Sequence, residues 1–324
     1  MRPYAKTPGS RARLTQVNRR MRSVVLLAVV GSLLGAAGCS SGDNQQVAGQ
    51  AVRRSPITST TGAPTTTTVV TSPDQLVRPS TAAAVAAELV RVERALRTDT
   101  GTPAQREALG WAQQHAYGTL AEHPEWYDQV VAGLPAEVAA PVARNHDAAV
   151  HLTSPSLGSP PTQPPDWTIR TPAPAATLLS WYRDAEAASG VPWPYLAAIH
   201  LVETRMGRIH GNSPVGAQGP MQFMPTTWDE YGAGGDVQAD HDAILAAGRF
   251  LAGHGGAGPL GGAGIARALF AYNPSDDYVA AVEDYAQVMA ADPRAYDGYH
   301  AWQVYVTTTA GTQRLPEGWS NGGA

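Results

Sequence analysis

Between residues 175 and 290 the chain repeats one pattern: apolar residues at helical spacing, cut by Gly and Pro at short intervals. The pattern predicts helices over 175–189, 192–206, 226–231, 242–253, 265–272 and 275–290. Gly190 stands where the first of these must stop. Pro192 and Pro194 open the second, where a missing N–H costs nothing. Ser275 precedes Asp276 and Asp277, an N-cap followed by acidic residues in the first turn. Near the end, Trp302, Val304 and Val306 alternate with polar positions, and Ala310-Gly311 offers a turn. The expected fold is therefore mainly α, with a small C-terminal β-hairpin.

Cys39 is the only cysteine, so no internal disulfide can form and the fold must rest on its core. It follows Arg19, Arg20 and Arg22, an apolar run from Val24 and the small residues Ala36-Ala37-Gly38. That is the layout of a secretory signal. It resembles a bacterial lipoprotein signal, with Ala36 where Leu is more usual. The resemblance implies a signal peptide at 1–38, a lipid on Cys39 and a chain held at the outer face of the cytoplasmic membrane. Met21 is an alternative start. Beyond residue 38 there are 16 basic residues against 27 acidic ones, a balance of −11, and every basic residue is Arg. An acidic chain without a basic block is a poor partner for nucleic acid.

Residues 39–80 are rich in Ser, Thr, Pro and Gly around Thr65-Thr66-Thr67-Thr68, and read as a disordered tether. Residues 81–153 read as a helical region. Val85, Leu89, Val92 and Leu96 share one helix face, and further periodic stretches run over 104–120 and 137–152. This region is a spacer, a helical pair packed on the next domain, or a surface for cell-wall or division proteins. A Pro/Ser-rich linker occupies 154–165. The remaining 166–319 is long enough for one well-buried domain, with a tail at 320–324.

Within that segment one carboxylate falls on an apolar face. Leu196, Ile199, Glu203 and Met206 step by three, four and three. Burial disfavours an ionised Glu and raises its pKa, which suits a general acid. Structural pairing with Arg205 or Arg208 is the other role open to it. Downstream, the Gly-rich run Gly216-Ala217-Gln218-Gly219-Pro220-Met221-Gln222-Phe223-Met224-Pro225 delivers an amide beside apolar side chains. Ala271-Tyr272-Asn273-Pro274 then ends a helix with a phenol and an amide. Such groups suit a polysaccharide, whose acetamido and hydroxyl groups need paired donors and acceptors. His200, on the same helix, reads as a packed or solvent-edge histidine.

These three motifs, in this order, resemble the lytic transglycosylases, and 166–319 is most similar to the membrane-bound lytic transglycosylase B group. The resemblance implies a lysozyme-like (SLT-type) fold acting on peptidoglycan glycan strands without a cofactor. It implies Glu203 as the catalytic acid, with Tyr272 holding its orientation. Ser213, Gln222, Tyr272, Asn273 and Tyr278 would contact substrate, Tyr278 by lining the cleft. It implies cleavage of the bond between N-acetylmuramic acid and N-acetylglucosamine, leaving 1,6-anhydro ends. A hydrolytic muramidase, with Asp229 as a second carboxylate, and a wall-binding scaffold are the competing functions. Some relatives carry a calcium loop. Here the nearest candidates are Asp236, Gln238, Asp240 and Asp242, but His241 and Ala247 stand where such a loop needs Gly and Glu. No metal is expected, and Asp242 reads as a helix cap.

Overall fold

The computed structural model describes residues 70–98, 100–153 and 159–321. The signal segment, Cys39 and most of the tether lie outside the described residues. The chain is mainly α, with a C-terminal antiparallel β-hairpin.

The first four helices are α1 (Ala82–Leu96), α2 (Pro103–Glu122), α3 (Tyr127–Ala132) and α4 (Ala136–Leu152). Thr81 caps α1, accepting from the Ala84 amide at 3.2 Å. Thr102 and Gln105 close a reciprocal capping box on α2. Val85, Leu89, Val92 and Leu96 are all buried, as their spacing predicts. Six-residue α3 is too short to show a period and was not expected from the sequence. Residues 70–80, assigned to the tether by composition, include a 3-10 turn at Pro73–Gln75. Arg78 pairs there with Glu122 at 2.9 Å, and Asp74 pairs with Arg314.

The chain continues through β1 (Thr168–Ile169), α5 (Ala175–Ser189), α6 (Trp193–Thr204), β2 (Ile209–His210), α7 (Pro225–Tyr231) and α8 (Asp240–Gly253). It ends with α9 (Ala263–Tyr272), α10 (Asp276–Ala291), α11 (Ala295–Ala301), β3 (Val304–Thr308) and β4 (Gly311–Leu315). Antiparallel β1–β2 pairs Ile169 with Ile209, and β3–β4 pairs Val304 with Leu315. Helix α5 ends at Gly190, which is left-handed at φ 72°. Ser275 caps α10, its hydroxyl accepting from the Tyr278 amide. Asp242 is not a cap. It lies inside α8 and accepts from the Asp236 amide at 2.9 Å, bracing the preceding loop. Helix α6 stops two residues short of Met206, because Arg205, Met206 and Gly207 all turn left-handed.

Helix α10 packs on both α4 and α6, and α11 packs on α2. One apolar cluster holds Leu89, Leu120 and Val142 together with Leu196, Val282 and Tyr299. The region 82–152 thus shares its core with the later helices. Glycines permit the closest approach. A Cβ on Gly110 of α2 would stand 2.6 Å from the Ala301 Cβ and 2.7 Å from the Gly298 carbonyl oxygen. Neither neighbour is the end of a flexible side chain. Gly110→Ala is expected to lose about 2–3 kcal/mol despite its better helix propensity. Gly118→Ala, whose Cβ would meet only the Arg78 guanidinium, is expected to lose less than about 1 kcal/mol. Denaturant unfolding of the two variants checks the contrast.

Candidate active site

The C-terminal turn of α6 presents Glu203. Ile199 and Leu196, one and two turns earlier on that face, are fully buried, while Glu203 keeps partial exposure. The Tyr278 hydroxyl donates to Glu203 Oε1 at 2.8 Å. Burial raises the Glu203 pKa to about 7, and the Tyr278 hydrogen bond offsets part of that rise. The carbonyls at the end of α6 further oppose negative charge there. The result is a carboxyl group that exchanges a proton near neutral pH. Of the two arginines open to pairing with it, Arg205 lies over the Trp302 ring, 5.6 Å from its centroid, and Arg208 donates to the His300 carbonyl at 3.0 Å.

The tyrosines divide the work differently from the expectation. Tyr278 is fully buried and does not line an open surface; it is the phenol that holds Glu203. The Tyr272 hydroxyl donates instead to the Met221 carbonyl. Burial, and then the charge of Glu203, push the Tyr272 pKa well above its ordinary value. Tyr272 therefore stands near the acid while anchoring the Gly-rich loop. Its ring meets Phe223 and Phe250 edge-on, at 5.7 Å and 5.2 Å.

That loop is tightly built. Gln218 and Phe223 form a two-way backbone bridge. Gly219 has φ 71°, and a Cβ there would lie 1.8 Å from the Val237 carbonyl oxygen, so only Gly fits. Gln222 is left-handed at φ 51°. Its side-chain nitrogen donates to the Gly219 carbonyl at 2.8 Å, and its side-chain oxygen makes no hydrogen bond among the described residues. Ser213 accepts from the Ala217 amide at 3.0 Å and closes its own turn. Asn273, at the end of α9, is buried, and its side chain makes no hydrogen bond among the described residues.

Thr204 is a contributor the sequence reasoning missed. Fully buried beside Glu203, it donates to the Pro220 carbonyl at 2.6 Å and accepts from the Gly207 amide at 3.2 Å. It ties the end of α6 to the Gly-rich loop. Its only sequence signal is its place, directly after the acid and before a left-handed turn. His200 is fully buried and pairs through Nδ1 with the Tyr182 hydroxyl at 2.8 Å. Asp229 is exposed on α7. The acidic loop serves itself: Asp236 accepts from the Gln238 amide at 2.9 Å, and Asp240 lies 3.5 Å from His200 Nε2. Among the described residues no cluster of three His, Cys, Asp or Glu side chains could hold a metal.

The state of Glu203 can be read by two measurements. Tyr278→Phe removes a hydrogen bond that favours the charged form, so the Glu203 pKa is expected to climb by about one pH unit. Carbon-13 titration of the carboxyl group reads it. The second concerns stability. The folded-state pKa of about 7 lies above the ordinary 4.5, so the folded state holds the extra proton between those values. Stability from this group falls as pH rises through that window. Glu203→Gln is expected to stabilise the fold by about 1–3 kcal/mol at pH 8 and to change little at pH 4, as thermal unfolding at the two pH values will show.

No family model matches the chain, and no solved structure matches it. One curated relative is 28% identical over 157 residues, which is 48% of this chain: a membrane-bound lytic murein transglycosylase F from Thiobacillus denitrificans. The matched region spans about a third (33%) of that relative's length. Among the described residues no helix is long and apolar enough to cross a membrane. The likeness supports kinship with the lytic transglycosylases.

Proposed function

We propose that this chain is a peptidoglycan lytic transglycosylase, and that Glu203 serves as acid and then as base. The carrying observation is the state of Glu203: partly exposed, held by Tyr278, with a pKa raised to about 7 by burial. A group that must give and then retake a proton works best with a pKa near the working pH. The murein transglycosylase relative and the motif likeness to the B group support the substrate class.

In this scheme Glu203 gives its proton to the oxygen linking N-acetylmuramic acid to N-acetylglucosamine. The bond from that oxygen to the muramoyl anomeric carbon breaks. The substrate's own acetamido oxygen stabilises the cationic carbon, so one protein carboxylate suffices where most glycosidases use two. Ionised Glu203 then takes the proton of the muramoyl C6 hydroxyl, whose oxygen bonds to the anomeric carbon. A 1,6-anhydro ring closes, Glu203 is protonated again and no water is consumed. The Gln222 side-chain oxygen and the unengaged amide of Asn273 are the groups that meet the sugar's acetamido and hydroxyl groups. Ser213 adds its hydroxyl from the same loop, and Tyr272 keeps that loop in place. A lipid on Cys39, after a 1–38 signal, would hold the enzyme at the membrane facing the wall.

The test is mass spectrometry of the soluble fragments released from peptidoglycan by the full-length chain without its lipid. Anhydro-muramoyl ends are expected, with release falling at least about a hundredfold in Glu203→Gln. Hydrated reducing ends would replace this function with a muramidase. No release by folded protein would favour a wall-binding scaffold.

A further inference from the structure

We propose that Gln113, carried by the N-terminal helices, is a positioning residue for Glu203, acting through Trp302 and Arg205. The inference rests on the role given to Glu203 above. It assigns the region 82–152 a part in the active site that packing alone does not require.

The chain of contacts begins at Glu93 in α1, a fully buried carboxylate. Arg97 pairs with it, the Tyr117 hydroxyl donates to it at 2.6 Å, and the Gln113 amide nitrogen donates to it at 2.8 Å. That last bond orients the Gln113 amide, because its nitrogen must face Glu93 and its oxygen must face away. The oxygen accepts the indole N–H of Trp302 at 3.0 Å. Tyr299 and Tyr285 meet Trp302 edge-on at 5.0 Å and 6.0 Å. The indole plane is thereby set from three sides. Arg205 lies over that plane.

Arg205 is the left-handed residue that ends α6, two positions after Glu203. A non-glycine residue there carries local strain and needs its surroundings to hold it. Tyr285 sits two helical turns along α10 from Tyr278, the residue that holds the Glu203 carboxyl. The Trp302 contacts and the Glu203 hydrogen bond thus share one helix and one helix end. Gln113, Glu93, Trp302 and Arg205 are each no more than 4% exposed. A core that only had to pack would do as well or better with apolar side chains at these positions. Hydrogen-bonded polar groups add direction, which apolar contacts lack.

The experiment compares two variants of the full-length chain. Gln113→Met cuts the branch to Trp302. Tyr117→Phe removes a different donor from the same Glu93 and leaves Trp302 bonded. Gln113→Met is expected to lower kcat about tenfold with KM within about twofold, since small displacements of a catalytic group act on the chemical step. Its Glu203 carboxyl titration is expected to shift as the Tyr278 hydrogen bond loosens. Tyr117→Phe is expected to leave kcat and that titration within about twofold and 0.2 pH unit of the parent. Trp302→Phe, which keeps a ring under Arg205 but has no N–H, is expected to behave like Gln113→Met and stands in if that variant does not fold. An unchanged kcat and titration in folded Gln113→Met or Trp302→Phe would overturn the proposal. So would equal losses in Tyr117→Phe, which would mean general loosening. If the parent chain releases no anhydro fragments, the function assigned to Glu203 fails, and the carboxyl titrations still decide the positioning role.

Discussion

A carboxyl group partly withdrawn from water at the end of an apolar helix sets the terms for everything around it. Ionised and unsupported, Glu203 would be too costly to hold there. One phenol, from Tyr278 on α10, lowers that cost without removing it, and the proton stays exchangeable near neutrality. For this balance to hold, α6 and α10 must keep a fixed register, and the backbone beyond Glu203 must leave the helix at once. Three left-handed residues and the two hydrogen bonds of Thr204 accomplish that exit.

The same end of α6 shapes the Gly-rich loop. Thr204 fixes the Pro220 carbonyl, Tyr272 fixes the Met221 carbonyl, and Gln222 turns its amide nitrogen onto Gly219. Two of these three side chains come from outside the loop, so its shape is imposed by α6 and α9. A loop held this way presents polar atoms at set positions, which is what recognition of a hydroxyl-rich chain requires.

Much of this was legible before the fold was seen. Helices with strong periodicity and clear punctuation appear where expected, α5 and the Ser275 cap of α10 among them. The misses have physical causes. α3 and α11 are six and seven residues long, below the length at which periodicity speaks, and neither opens on a Pro as equally short α7 does. Two-residue β1 and β2 carry no alternation at all. Met206 keeps an apolar place in the core, so its spacing mimicked another helical turn even though the backbone had already reversed. At the site, Glu203 stood out because a carboxylate on an apolar face violates a rule. That Tyr278 and not Tyr272 holds the acid did not, since both are phenols within reach and only the packing of α9 and α10 separates them. Gln113 gave no signal and Trp302 pointed only to the hairpin, for a simpler reason: their joint role lies in a contact across 189 positions of sequence.

That separation also orders events in time. Gln113 emerges early in synthesis, but the Trp302 indole that completes its hydrogen bonding follows 189 positions later. Helix α4 likewise waits for α10, and Asn145 waits for the Tyr299 hydroxyl that donates to it at 2.7 Å. Contacts so distant in sequence must overcome large loop-closure entropy before they form. The hydrogen bonding of the first helices is therefore complete only when Tyr299 and Trp302 are in place. A truncation before Tyr299 would leave the buried side-chain oxygens of Gln113 and Asn145 without the donors that Trp302 and Tyr299 supply.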